Sequence, residues 1–280
     1  MTVQGDRRRA VNREIEDGAA LPGSSFFVFT GGASRAGACP HWHESVPCGR
    51  GYWHSAYWIE REAGVKKALI VWGGWDGHEP KQVAEILEGF LSKNGFDVEV
   101  SDTLDAFLDE EKLKRLDLIV PEWTMGTIKK EQLQPLLAAV KSGVGLGGVH
   151  GGMGDSFRNE CEYQWMVGGQ WVAHPGNDTI TYEVNIIDHD HEITKGLKDF
   201  KVTSEQYYMH VDPSNYVLAT TTFQPSDILA VPCVMPVAWT RHYGKGRVYY
   251  CSLGHVAKTA REPGPLGLIT RGLLWASKKD

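Results

Sequence analysis

An α/β domain with an open, mostly parallel sheet and helices on both faces is expected from about residue 65 to residue 280. Three observations predict it. Short apolar runs alternate with segments whose apolar residues recur at helical spacing, the signature of right-handed strand–helix–strand crossovers. The apolar runs read as strands buried on both faces, as parallel strands are. Glycine, proline and asparagine punctuate the joints between the two kinds of segment.

The elements follow in order. Lys67 to Gly73 is a first strand ending in Gly-Gly. Pro80 suits a first helical position, and Val83, Ile86, Leu87, Phe90 and Leu91 then form an apolar stripe that Asn94-Gly95 terminates. Phe96 to Val100 alternates as a second strand, and Leu116 to Val120 is a third, closed by Pro121. Thr127 is a candidate cap for a helix with Leu133, Leu136, Leu137 and Val140 on its apolar face, ended by Gly143. Val144 to Val149 is the fourth strand. The second half is less regular: strands are expected at Thr179 to Ile187, Tyr216 to Thr220, Val237 to Thr240 and Arg247 to Ser252, and a last helix from Leu266 to Trp275.

Residues 1 to 64 carry no sustained period and mix Arg, Gly, Ser, Cys, His and Trp without pattern. They read as a poorly patterned, disordered N-terminal extension or as a non-native start. Glu60-Arg61-Glu62-Ala63-Gly64-Val65 matches a purine-rich ribosome-binding site read in frame, with Val65 as a GTG start codon, and this second reading is preferred. His41 and His43 have metal-pair spacing but read as accidental neighbours in a disordered tail.

Composition narrows the function classes. Hydrophobic residues make up 42% and charged residues 23% of 280, enough for a sizeable core. The net charge of -6, without a long basic stretch, argues against nucleic acid as a partner. No apolar run approaches the ~20 residues that span a bilayer. Five scattered cysteines without a Cys-x-x-Cys pair, and no secretory signal, point to a reducing, cytoplasmic setting.

In an open parallel sheet, ligands bind beyond the carboxyl ends of the strands. That rule selects Asp76 and His78 after the first strand, Glu122-Trp123 after the third, His150 after the fourth and His255 after the strand 247–252. His150, flanked by glycines, sits where a nucleophile elbow would place its central side chain. The residue is His, so acyl transfer through a hydroxyl or thiolate is not expected there. Asp76 and His78 lie in a glycine-rich turn before a helix, which suits hydroxyl-rich or anionic ligands. His174 follows the aromatic residues Tyr163, Trp165 and Trp171, which could stack on sugar rings or form core and oligomer contacts. Glu205 lies beside Tyr207 and Tyr208 and could be a base, a metal ligand or an ion-pair partner. Asp188-His189-Asp190-His191 reads as an exposed turn capping a short helix at Glu192-Ile193-Thr194. His150, His255 and Glu205 together supply imidazoles and a carboxylate suited to a divalent metal such as zinc, or to metal-free acid–base chemistry.

Several of these segments, in the same order, resemble the ThuA-like (trehalose-utilisation) family. They are Trp72-Gly73-Gly74-Trp75-Asp76-Gly77-His78-Glu79-Pro80, Val149-His150-Gly151-Gly152-Met153-Gly154-Asp155, and Val167-Gly168-Gly169-Gln170-Trp171-Val172-Ala173-His174-Pro175. Asp190 to Leu197, Glu205-Gln206-Tyr207, Tyr243 to Val248 and Leu253-Gly254-His255 complete the set, which covers roughly Val65 to Trp275. The resemblance implies a class I glutamine amidotransferase-like, flavodoxin-like fold. His150 then occupies the place of the amidotransferase cysteine and His255 that of its strand-end histidine, so amidotransferase activity is not expected. Cys161 and Cys251 are the remaining thiols a hydrolase could use, and Cys251 lies within a strand.

The resemblance also implies a role in sugar catabolism beside a sugar oxidoreductase that forms 3-keto sugars. The expected function is an enzyme (a lyase, hydrolase or isomerase) acting on a disaccharide or its 3-keto derivative. His150, His255 and Glu205 would be its catalytic or metal-ligating groups, and Asp76, His78, Trp123, His174 and Tyr207 would contact the sugar. The alternative is a non-catalytic carbohydrate-binding or assembly subunit. A homo-oligomer is expected, with no nucleic-acid or membrane partner.

Overall fold

Along the first strand, β1 (Lys66–Gly74), successive side chains enter two different cores: Ala68 and Ile70 join one, Leu69 and Val71 the other. That period of two, apolar on both sides, makes the strand the middle of a three-layer structure. The computed structural model describes residues 64 to 278, so the expectations for residues 1 to 63, including Cys39, Cys48, His41 and His43, lie outside the described residues.

The helix α1 (Pro80–Lys93) packs Val83, Ala84, Leu87 and Leu91 on the first face, as the stripe predicts, and β2 (Phe96–Ser101) follows. A short helix α2 (Glu110–Leu113) precedes β3 (Leu118–Thr124). Here the expectation is corrected. Pro121 does not close the strand, which runs on to Thr124. β4 (Gly145–Val149) pairs with β3 only at Leu118 and Ile119, so a proline two residues further on interrupts no shared ladder there.

Thr127 is not the cap of the next helix. α3 (Lys130–Ser142) starts after Lys129, whose backbone N–H donates to the Gln132 side chain at 2.9 Å, a local bond that moves the helix start by two residues. Its face of Leu133, Leu136, Leu137 and Val140 is buried on the second side of the sheet. α4 (His150–Gly154) follows β4 directly, then α5 (Cys161–Val167) and β5 (Gly169–Ala173).

The second half adds β6 (Thr181–Ile186), β7 (Phe200–Thr203), β8 (Tyr208–Val211), β9 (Tyr216–Phe223), β10 (Cys233–Tyr243) and β11 (Gly246–Cys251). The short α6 (Ala257–Ala260) and the long α7 (Pro263–Ala276) end the domain. The expected helix at residues 192 to 194 is a turn instead. Asp188 spends one carboxylate oxygen on the N–H groups of Asp190 and His191, and no helix propagates from them.

The nine-stranded sheet has the order β2-β1-β3-β4-β11-β10-β9-β6-β7, and β5 pairs with β8 apart from it. From β2 to β11 every pairing is parallel; β10, β9, β6 and β7 extend it antiparallel. Its parallel part has the flavodoxin-like order, with the chain reversing direction across the sheet between β1 and β3. α1 and α7 cover one face, α3 and α5 the other. The carboxyl ends of β1, β3, β4 and β11 therefore share one edge. Among the described residues, no helix is long and apolar enough to cross a membrane.

Candidate active site

Three of those strand ends deliver a histidine to one buried point. His78 comes from the turn after β1, His150 from the end of β4 and His255 from the loop after β11. Glu205, between β7 and β8, meets them. One donor atom from each of the four lies within 4.8 Å of every other. All four side chains are buried.

His150 takes up this position at a backbone cost. Its φ is +44°, a left-handed conformation that side-chain-bearing residues avoid and that recurs at functional sites. Tyr250 Oη donates to the His150 carbonyl at 2.9 Å and fixes the turn from below. Two glycines let other groups close in. A Cβ on Gly151 would lie 2.6 Å from the His78 ring, and one on Gly152 would lie 2.5 Å from the Glu122 carboxyl carbon. The glycine-rich sequence here is thus a requirement of close approach as well as of the turn.

Each imidazole is oriented. His150 Nδ1 lies 2.8 Å from the Ser252 carbonyl oxygen, which can only accept, so Nδ1 carries the proton. Its Nε2 then points at Glu205 Oε2, 3.1 Å away. His78 Nδ1 meets Thr124 Oγ1 at 2.9 Å, and its Nε2 lies 3.7 Å from Glu205 Oε2. His255 Nε2 lies 3.5 Å and His174 Nε2 3.7 Å from Glu205 Oε1. The Glu79 carboxylate accepts from Ala257 N–H at 3.0 Å, tying the loop that carries His78 to the one that carries His255. Tyr182 Oη donates to the Glu205 carbonyl at 3.0 Å and steadies the carboxylate's own segment.

Burial dominates the electrostatics. It pushes the His150 imidazole down to about 3, against the pull of Glu205, and lowers His255 as well. Burial alone would raise Glu205, but hydrogen bonding and the nearby imidazoles hold its carboxyl below the usual range, and with His150 Nε2 unprotonated the His78 ring is the one placed to donate. The site therefore gathers lone pairs and a negative charge, not imidazolium ions. Nearby, burial raises Glu122 well above the ordinary carboxyl value, and its Oε2 has no hydrogen-bond partner.

Of the four clustered residues, His255 lines a neighbouring cavity. This cavity of about 430 Å³ is lined by His255, Ser204, Thr259, Lys201, Lys258 and Glu262, among others. The Ser204 hydroxyl, one residue before Glu205, is buried without a partner.

Of the residues singled out in the sequence, His150, His255 and Glu205 converge as expected, and His174 joins them at their rim. His78, expected only as a sugar contact, is a full member of the cluster. Tyr207 is buried with its ring centroid 4.0 Å from that of His150, which makes it a wall behind the imidazole. Asp76 and Trp123 are not brought in. Asp76 is exposed, its carbonyl accepting from Glu79 N–H, and the Trp123 ring packs against Gly73 and Gly126. The aromatic segment does not present a free stacking face throughout: Tyr163 is in the core, Trp165 is exposed and Arg158 lies over Trp171 at 4.4 Å. Thr124, Tyr250 and the Ser252 carbonyl went unnoticed because a hydroxyl or carbonyl at a strand end carries no sequence signal. Cys251 is buried with its thiol pushed up to about 12, and Cys161 is exposed on α5. Neither is placed in this cluster.

Comparison with known proteins agrees with this architecture. The family profile described as trehalose utilisation (ThuA) matches residues 67–276. A ThuA-like protein from Bacteroides uniformis is similar in structure, with a TM-score of 0.64 and 19% identity, covering 77% of this chain and 92% of that one. A ThuA-like protein from Parabacteroides merdae has a TM-score of 0.61 and 20% identity, covering 76% and 90%. At such identities the likeness speaks for the fold alone. No curated protein matches the chain.

Proposed function

The chain belongs to the trehalose-utilisation (ThuA) family, and from that premise we propose that it is a sugar-catabolic enzyme acting on a disaccharide or its 3-keto derivative at His150, Glu205 and His255. The observation that carries this reading is the convergence of an oriented, unprotonated His150 Nε2 on the Glu205 carboxylate, next to a polar cavity that reaches His255. Buried bases beside an accessible polar space are what proton abstraction from a polyhydroxylated substrate needs.

A ketone at carbon 3 of a sugar acidifies the C–H bond at carbon 2. A base of the cluster takes that proton, and the electron pair moves onto the carbonyl oxygen as an enediolate. Return of a proton to carbon 3 gives the isomer. Alternatively the enediolate re-forms the ketone, a double bond forms between carbons 1 and 2, the bond from carbon 1 to the glycosidic oxygen breaks, and that oxygen takes a proton. Both outcomes balance without an oxidant. The ketone itself is the product of an oxidation, so a sugar oxidoreductase is the expected pathway partner. The amines of Lys201 and Lys258, the Glu262 carboxylate and the partnerless Ser204 hydroxyl suit a hydroxyl-rich ligand.

The test is to incubate the protein with 3-keto-trehalose in D2O and follow the sugar by NMR. Deuterium at carbon 2 of the recovered 3-keto sugar, together with a cleaved product that has lost the carbon-2 hydrogen or an isomer labelled at carbon 3, is the expected result. Binding without exchange or product contradicts the enzyme reading and leaves a sugar-binding subunit.

A further inference from the structure

We propose that His78, His150, His255 and Glu205 are the ligands of a divalent first-row metal ion, zinc or a close relative. This goes beyond the sugar reading and stands without it. The argument starts from the hydrogen-bond inventory. His150 commits its Nδ1 proton to the Ser252 carbonyl, so Nε2 offers a lone pair to Glu205 Oε2 at 3.1 Å. Two acceptors at that separation need something positive between them. A single proton would join those two atoms only. His78 Nε2 and His255 Nε2 also face the same carboxylate, at 3.7 and 3.5 Å.

These separations have the size of a coordination polyhedron. Ligand atoms about 2.1 Å from a tetrahedral ion stand roughly 3.4 Å apart. The imidazole-to-carboxylate distances of 3.1 and 3.7 Å to Oε2 and 3.5 Å to Oε1 lie near that edge, and the whole set of donor atoms, within 4.8 Å of one another, would draw together around an ion. The supporting shell is present as well. Metal-bound imidazoles are held through their other nitrogen, and here Ser252 holds His150 and Thr124 holds His78. Three imidazoles with one carboxylate and no thiolate favour zinc, manganese, iron, cobalt or nickel over calcium and magnesium, which prefer all-oxygen sites.

With the ion bound, the three imidazoles are ligands and no longer proton carriers. Proton transfer then falls to a group outside the set. His174 is the other imidazole within 4 Å of Glu205 among the described residues, and its side chain is 28% exposed. On the sugar reading, such an ion would supply Lewis-acid polarisation to a carbonyl, with His174 as the nearby imidazole left free to move a proton.

The experiment is metal analysis and titration of the full chain. Protein stripped with a chelator is titrated with Zn²⁺ and with Co²⁺, reading stoichiometry, Tm and the visible Co²⁺ spectrum. One ion per chain, a rise in Tm and a Co²⁺ spectrum of a nitrogen–oxygen site are expected. Thr124→Val should weaken binding at least about tenfold, and His78→Gln or Glu205→Gln by more, each checked for retained fold by circular dichroism. His189→Ala, at an exposed turn, should leave affinity unchanged. No saturable binding, or binding unaffected by His78→Gln and Glu205→Gln, overturns the proposal. Metal binding without sugar turnover would overturn the sugar reading alone; full turnover in metal-free protein would overturn the ion's role.

Discussion

His150 and Glu205 face each other across 3.1 Å with no proton assigned to the gap, because the other nitrogen of the imidazole is committed to the Ser252 carbonyl. Glu205→Gln replaces one of the two facing acceptors by an amide donor. In chelator-treated protein this variant should unfold at a Tm about 2–4 °C higher, the effect of gaining roughly 1 kcal/mol of hydrogen bonding in a domain of this size. Its sugar turnover should fall at the same time. A lower Tm would show that the facing pair is already satisfied.

The pH dependence follows from burial of the same imidazole. The unfolded chain protonates His150 near 6.5, while the folded chain holds it down to about 3. Between those values the unfolded state binds more protons, so stability falls as the pH falls from about 6.5 toward 3 and is flat above that window for this group. Glu205, held below its ordinary range, adds to the loss in the same direction. Urea unfolding of metal-free protein at pH 7, 5.5 and 4.5 should show the decline, and His150→Gln should flatten it. Greater stability at pH 5 than at pH 7 would contradict this account.

Glu122 has the opposite sign. Burial raises its carboxyl well above the usual value, so the folded chain keeps the neutral acid to a higher pH than the unfolded chain does. Its contribution is present at low pH and is lost as the pH rises, by up to about 1.4 kcal/mol per pH unit in the window between the unfolded and folded values. Glu122→Gln should flatten the decline of stability on the alkaline side, above the window in which His150 contributes. An unchanged limb would place the ionised carboxylate in a partnered state.

Gly151→Ala tests the close approach of the β1 and β4 loops. The new methyl group would meet the His78 ring at 2.6 Å and displace it from the cluster. A loss of about 100-fold in turnover is expected from a shift near 1 Å at the reacting groups, with a stability cost of about 1–3 kcal/mol from overpacking. Unchanged turnover would place His78 outside the working site.

The parallel half of this fold was legible because its signals are long. The stripe in α1 and the apolar alternation of β1 are each set by burial on a known face. The errors fall where a short local bond competes with the pattern. The Gln132 side chain moves the start of α3 past Thr127, and the Asp188 carboxylate holds a turn where a helix seemed to begin. His150 and His255 were found because topology alone places strand ends at one edge. His78 was read only as a sugar contact, since its distance from Glu205 depends on a turn and on contacts 127 residues apart in the chain. Asp76 and Trp123 share its neighbourhood in sequence, but strand-end position does not say which side chains turn inward.

The central claim is that the His150 cluster is the seat of sugar chemistry. Turnover of 3-keto-trehalose by wild type and by His150→Gln, measured side by side on folded protein, tests it most directly. A loss of at least about a hundredfold in the variant is predicted, the scale on which loss of a general base or of a metal ligand is felt. Equal turnover in the two proteins would contradict it.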